Sequence, residues 1–162
     1  LNEERLRRAI ARGADIAVNP DSVDDVAELV RNASPSNGAD VVLEATGKPA
    51  VYPMAVRIAR NGGRVVALGS PRGTVEMDFF EDVHLREVDI TGAIQPLTPE
   101  ADNLYYPWTK QRDRQLLLEL MARDRLSVAD LITHREKPED CQQVFEMLAD
   151  RPEEALGVVF EW

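Results

Sequence analysis

Two short apolar runs, each followed by a glycine, decide the fold. The sequence GADVVLEATG covers residues 38–47, and GGRVVALGSPRG covers residues 62–73. Runs of this length and composition are typical of strands that are buried on both faces of a parallel sheet. In an open α/β sheet, ligands bind beyond the carboxyl ends of the strands. Thr46–Lys48 and Leu68–Ser70 are therefore candidate ligand-facing edges, although ordinary strand-to-helix turns would give the same pattern.

Helical and strand patterns alternate on both sides of these two runs. Asn2 is expected to cap a first helix. We predict helices at residues 2–13, from 21 or 22 onward, at 49–60 and at 79–87, and strands at 15–20, 39–45, 64–68 and 88–94. This alternation indicates βαβ units with right-handed crossovers, and hence an α/β fold with a parallel sheet.

The regular alternation of helical and strand patterns ends after residue 95. The stretch Pro96–Trp108 contains three prolines, and it is followed by predicted helices at 111–125 and 138–149 and by short strands at 131–135 and 156–162. We therefore predict two parts, residues 1–96 and 97–162.

Composition and charge exclude some classes of partner. The 162 residues include 29 acidic and 19 basic side chains, a net charge of −10, which argues against nucleic acid or an anionic membrane as the main partner. No apolar run is long enough to span a membrane. The single cysteine, Cys141, supports neither a disulfide framework nor a multi-cysteine zinc site, and it favours a reducing, cytoplasmic compartment. Its position on an apolar helix face predicts a core thiol.

Several stretches together carry a resemblance to a known family. They are ERL (4–6) with GAD (13–15), GADVV (38–42) with EATG (44–47), GGRVV (62–66) with LG (68–69), REVDI (86–90) with Gly92, and LITHR (131–135). In this order and spacing they resemble the C-terminal half of a zinc-type medium-chain dehydrogenase/reductase of the alcohol and polyol kind. The sorbitol and threonine dehydrogenase branch is the most similar.

The resemblance implies a fold and an activity. Residues 1–96 would be the later part of a doubly wound Rossmann domain, holding strands 3 to 6. Residues 97–162 would be the segment that returns to complete a GroES-like catalytic domain. The complete protein would oxidise a secondary alcohol, polyol or sugar-like substrate to a ketone with NAD or NADP. Zinc and the Gly-x-Gly-x-x-Gly turn would lie before Leu1, so this chain would supply no catalytic or metal-binding residue and be inactive alone.

The same resemblance assigns cofactor contacts to ten residues. Arg5 would lie near the adenosine ribose, although an ordinary solvated arginine fits its pattern equally well. Contacts on the adenine and ribose side of the cofactor would come from Thr46, Gly47 and Lys48. The ends of the next two strands would flank the nicotinamide: Val66, Ala67, Leu68, Ala93, Ile94 and Gln95. Gln95 and the stretch Pro96–Trp108 depart from the family pattern, so the resemblance does not identify the substrate.

Other readings remain open. The zinc-free quinone-reductase branch is a close relative, although the 86–92 and 131–135 stretches favour the zinc branch. A truncated remnant could serve only as an interaction or dimerisation module. In either case the edge strand Val88–Ile94 could form a homodimer or homotetramer. Without Rossmann strands 1 and 2, residues 16–19 would lack a neighbour in the sheet, so we expect the chain not to fold natively alone.

Overall fold

The computed structural model describes residues 2–94, 97–102, 104, 106 and 108–162. The chain divides into two compact units, residues 1–97 and 98–162. The assignment of these units to a Rossmann domain and a returning catalytic segment stays a prediction. None of the helices in the described ranges is long and apolar enough to cross a membrane.

The described residues of the first unit form three α-helices and three strands. In chain order these are helix α1 (Glu3–Ala11), helix α2 (Val26–Ala33), strand β1 (Ala39–Glu44), helix α3 (Tyr52–Ile58), strand β2 (Ala59–Ala67) and strand β3 (Asp89–Gly92). Short helical turns occur at Pro20–Ser22, Pro49–Val51 and Phe80–His84. Asn2 caps α1, as predicted, because its side-chain oxygen accepts hydrogen bonds from the Glu4 and Arg5 amides.

The three strands form one parallel sheet in the order β1-β2-β3. Val42 lies opposite Val65, and Val65 lies opposite Ile90. The predicted α/β class with a parallel sheet is therefore confirmed. Strand β2 begins at Ala59, earlier than predicted, because Ala59 pairs with Ala39 before the register shifts.

The core lies where α3 covers the sheet. Val56 and Val65 are fully buried, and they cluster with Ala55, Ala59 and Val88. Fully burying a valine side chain contributes about 1.5–3 kcal/mol relative to leaving it exposed. The apolar runs that predicted the strands thus place the sheet against this helix.

Two predictions for the first unit are wrong. Residues 15–20 do not form a strand; instead a short 3₁₀ turn forms at Pro20–Ser22. A strand needs a hydrogen-bonded neighbour. The described sheet ends at β1, and residues 15–20 do not pair with that strand. Helix α2 begins at Val26 because the Asp25 side chain caps it, accepting from the Ala27 and Glu28 amides at 2.8 and 3.1 Å.

In the part of the second unit that the structure describes there are two α-helices and a small sheet. They are helix α4 (Lys110–Ala122), strand β4 (Ile132–Glu136), helix α5 (Cys141–Asp150) and strand β5 (Gly157–Phe160), and the two strands pair in parallel. Short turns occur at Ala129–Leu131, Pro138–Asp140 and Pro152–Glu154. The core-thiol prediction is wrong: Cys141 is exposed, because α5 buries its Val144 face and begins with the cysteine at the surface.

Candidate functional site

The carboxyl ends of all three strands of the first unit meet at one edge of the sheet. Ala67 at the end of β2 lies opposite Glu44 at the end of β1 and opposite Gly92 at the end of β3. We call the segments that follow, residues 45–48, 68–70 and 93–94, the strand-end edge. The structure therefore brings together most of the residues that the sequence marks as a ligand-facing edge.

Backbone hydrogen bonds fix these segments to one another. The Glu44 carbonyl accepts from the Leu68 amide at 2.9 Å and from the Gly69 amide at 2.8 Å. The Ala93 amide donates to the Ala67 carbonyl at 3.0 Å. These hydrogen bonds continue the pairing of the sheet past the strand ends.

Two glycines let the first two segments touch. Gly47 has a φ of +69°, a left-handed conformation that favours glycine. A β-carbon on Gly69 would stand 2.4 Å from the Gly47 nitrogen, and one on Gly47 would stand 3.3 Å from the Ser70 nitrogen. Because neither position carries a side chain, the two strand ends can lie directly against each other.

A chain of hydrogen bonds shapes the turn formed by residues 46–48. The Glu44 carboxylate accepts from the Thr46 amide at 2.6 Å and from the Thr46 hydroxyl. The Thr46 hydroxyl oxygen in turn accepts from the Lys48 amide at 3.1 Å. The Thr46 amide thus bonds the Glu44 carboxylate directly, and the Lys48 amide is linked to it through the Thr46 hydroxyl.

That carboxylate is buried, and its surroundings set its pKa. Glu44 is only 3% exposed. Burial by itself raises the pKa of Glu44, but the hydrogen bonds from Thr46, together with the nearby Tyr52 phenol and Gly47 amide, outweigh it and hold the pKa below its ordinary value. Burial and the neighbouring Glu44 charge raise the pKa of the Tyr52 phenol. Glu44 is therefore a carboxylate, and Tyr52 a neutral phenol, at neutral pH.

The predicted contact residues differ in exposure. Thr46, Lys48, Leu68 and Ile94 are exposed, whereas Gly47, Val66, Ala67 and Ala93 are partly buried. Leu68 and Ile94 are each about half exposed, at 53% and 56%. Arg5 is exposed in α1, outside the three strand ends, and Gln95 lies outside the described residues.

Glu44 and Tyr52 were missed as site residues in the sequence. The signal was present, because an acidic residue that directly ends a run of buried apolar residues needs hydrogen-bond partners. Tyr52 gave no comparable signal. Its burial depends on how α3 packs over the sheet, which no local pattern reveals.

The two histidines occupy structural positions. His134 lies in β4 with its Nδ1 2.9 Å from the Thr133 hydroxyl, and His84 is exposed and stacks on Phe80. Within the described part of the chain, no group of three or more His, Cys, Asp or Glu side chains is placed to hold a metal ion.

A parallel sheet with a glycine-lined carboxyl edge defines an α/β protein of the Rossmann type. Residues 1–106 match the family described as zinc-binding dehydrogenase. Because this match covers more than half of the sequence, the chain belongs to the zinc-binding dehydrogenase family, and the predicted family is confirmed.

Curated relatives and solved structures agree with this family. The L-threonine 3-dehydrogenase of Symbiobacterium thermophilum is 41% identical over 92 residues, covering 57% of this chain and 26% of that protein. The enzyme of that name from Shewanella baltica is 27% identical over 162 residues, covering 100% of this chain and 42% of that protein. The chain thus spans less than half the length of these relatives.

The fold also matches a solved dehydrogenase. The crystal structure of 2R,3R-butanediol dehydrogenase from Bacillus subtilis superposes with a TM-score of 0.76 at 24% identity, covering 96% of this chain and 40% of that one. At this identity the likeness supports the fold alone.

Proposed function

We propose that the natural protein containing this chain is an NAD(P)-dependent dehydrogenase that oxidises a secondary alcohol, polyol or sugar-like substrate to a ketone. The observation that carries this proposal is the strand-end edge, where the carboxyl ends of three parallel strands meet in a zinc-binding dehydrogenase chain. Two relatives bear the name L-threonine 3-dehydrogenase, and the hydroxyl on C3 of threonine is a secondary alcohol. A small hydroxy compound is therefore the substrate class to test.

The strand-end edge would bind the cofactor in two parts. The turn of Thr46, Gly47 and Lys48 would lie along the adenosine ribose, which Arg5 would approach from α1. Val66–Leu68 and Ala93–Gln95 would flank the nicotinamide. There Leu68 and Ile94 would pack on the ring and exclude water, while backbone groups bond its carboxamide. This arrangement would hold the hydride-accepting carbon in place.

The second unit would contribute to the catalytic domain rather than to the cofactor site. A bound nicotinamide supplies the hydride acceptor, and a catalytic zinc, where present, acts as a Lewis acid on the alcohol oxygen. The described residues offer no metal cluster, so we expect the zinc ligands in another part of the natural protein.

A cofactor-binding measurement tests this proposal. The full natural chain should bind NADH or NADPH, as followed by quenching of its tryptophan fluorescence. It should also reduce the oxidised cofactor in the presence of L-threonine or another secondary alcohol. The L68D variant places a charge on the proposed ring-binding surface and should weaken cofactor binding at least about tenfold, since a buried charge without a partner is strongly disfavoured.

Leu85 provides a matched control. It is 55% exposed, close to the 53% of Leu68, but it lies just before β3, at the opposite end of the sheet. The L85D variant should bind cofactor as the unaltered chain does. Equal losses in both variants, or no cofactor binding by the unaltered chain, would contradict the proposal. The second result would favour a non-catalytic interaction module.

We also infer that the β3 edge pairs with a second copy of the chain. All four residues of β3 are exposed, and its outer side has no neighbour in the described sheet. Such an edge offers unpaired amide and carbonyl groups to another strand. Alternate amides of a strand point to opposite sides, and the Ala93 amide donates to Ala67 of β2, so the Ile90 amide faces the open side. An I90P variant removes that donor, so it should shift the natural protein toward monomer in light scattering. An unchanged oligomer, or a monomeric unaltered protein, would contradict this inference.

A further inference from the structure

A buried acid lies beneath the turn at the end of β1. Glu44 is the last residue of that strand, and only 3% of its surface is exposed. Burying a carboxylate is costly unless its oxygens are hydrogen-bonded. A shorter or apolar residue would avoid this cost, so the position calls for an explanation beyond packing.

Among the residues that the structure describes, one of its two oxygens has hydrogen-bond partners. Oε1 accepts both hydrogen bonds from Thr46. Oε2 and the Tyr52 hydroxyl are buried and have no hydrogen-bond partner among the described residues. The two groups lie near enough for each to shift the pKa of the other.

We propose that Glu44 is a positioning residue, which acts through Thr46 to hold the 46–48 turn in the shape that the cofactor binds, with Tyr52 backing it from α3. This inference rests on the proposed cofactor site. Glu44 itself does not touch the ligand, because its carboxylate lies below the surface of the turn. The Glu44 carboxylate orients the Thr46 amide and hydroxyl, and the Thr46 hydroxyl in turn orients the Lys48 amide.

The physical benefit is preorganisation. An exposed turn of three residues samples several conformations, and a ligand that selects one of them binds more weakly as a result. Hydrogen bonds to an ionised acceptor are stronger than those between neutral groups, so a buried carboxylate narrows this ensemble more than a neutral side chain would. The contact between Gly47 and Gly69 then fixes the tightened turn to the neighbouring strand end.

Three variants of the full natural chain test the inference. E44A removes the acceptor, and the dissociation constant of NADH should rise about tenfold, which corresponds to one strong hydrogen bond. E44Q keeps an oxygen for Thr46 and turns an amide donor toward Tyr52, so the loss should shrink to about threefold or less. T46V removes the hydroxyl that links Glu44 to Lys48 and should resemble E44A. In all three, kcat should change less than KM for the cofactor.

R86A is the control for a merely structural effect. Arg86 bonds the carbonyls of Val56 and Ala59 at the amino end of the sheet, so its loss lowers stability without touching the turn. At a temperature where every variant is folded, R86A should bind NADH normally. If R86A weakens binding as much as E44A, or E44A and T46V bind normally, the inference is wrong. If the unaltered chain binds no cofactor, the proposed function fails and this inference falls with it.

Discussion

Gly69 lies against Gly47 so closely that a β-carbon on Gly69 would stand 2.4 Å from the Gly47 nitrogen and 2.8 Å from its α-carbon. Both atoms belong to the backbone, so neither can move aside as a side chain would. The contact joins the ends of β1 and β2 at the point where the cofactor is proposed to lie. The role of these glycines is therefore close approach, in addition to the turn conformation of Gly47.

The first prediction follows from this contact. G69A should destabilise the protein by about 1–3 kcal/mol, the usual effect of overpacking, because the two strand ends must separate. Urea denaturation of the natural protein measures the change. G92A is the matched control: Gly92 ends the neighbouring strand β3, and a β-carbon there would meet no atom within 4 Å. Similar losses in the two variants would show that the contact is not the cause.

The second prediction concerns Arg86. Its guanidinium donates to the Val56 carbonyl at 3.0 Å, to the Ala59 carbonyl, and to the Asn61 side chain at 3.2 Å. These carbonyls lie at the end of α3, where helix carbonyls lack partners and the dipole favours a cation. R86A should lower the free energy of unfolding by about 1–3 kcal/mol. R86K should recover only part of the loss, because lysine lacks the planar fork.

Arg64 supplies the control for this second prediction. It pairs with Asp89 at 3.2 Å, and both side chains are more than half exposed. Solvent screens such a pair, which is worth about 1 kcal/mol or less. R64A should therefore change the denaturation midpoint much less than R86A does. The reverse order would contradict the capping role of Arg86.

The parallel sheet and the location of the site could be read from the sequence because both depend on local patterns. Parallel strands produce unbroken apolar runs, and the glycines after them mark strand ends, so 39–44 and the carboxyl edge were found. The expected burial on both faces is wrong for β1, where Val41 and Leu43 are more than half exposed. Residues 15–20 have an equally good local pattern, but a strand forms only with a hydrogen-bonded neighbour. The pairing partner of a strand is a property of the tertiary fold, which a local pattern does not contain.

Burial of individual side chains was the harder problem. Cys141 shares a helical face with Val144, yet it lies at the start of α5 and is exposed, whereas Val144 is buried. Conversely, Glu44 is charged and buried because Thr46 supplies two donors within the same turn. In neither case does the spacing of apolar residues along the chain predict whether the side chain is buried.

The third prediction is a pH dependence at α2. Hydrogen bonds from the backbone of Glu28, and also of Ala27, hold the pKa of Asp25 below its ordinary value despite some desolvation. The unfolded chain therefore binds the proton more tightly, so Asp25 contributes stability above the unfolded pKa, about 3.9, that is lost as pH falls through the folded value. D25A should lower Tm at neutral pH and flatten the fall in Tm on acidification.

Two variants separate the cap from the charge. D25N keeps a capping oxygen but cannot titrate, so it should retain most of the neutral-pH stability and still show the flatter acid profile. D24A removes the neighbouring carboxylate and leaves the cap intact, and it should behave as the unaltered protein. Thermal unfolding from neutral pH down to about pH 3, below the unfolded pKa, makes the comparison. A steep acid profile in D25N would show that another group controls it.

The fourth prediction concerns the open edge of β1. Val41 and Leu43 are 54% and 63% exposed, and β1 has no further neighbour in the described sheet. An exposed apolar edge strand promotes association with other chains. The 162-residue chain expressed alone should therefore self-associate, and L43K should reduce this, because a charged lysine protects an edge. L118K on α4, at a leucine that is 66% exposed but helical, should have no such effect. Sedimentation velocity measures the outcome, and a monomeric, cooperatively folding chain would refute the prediction.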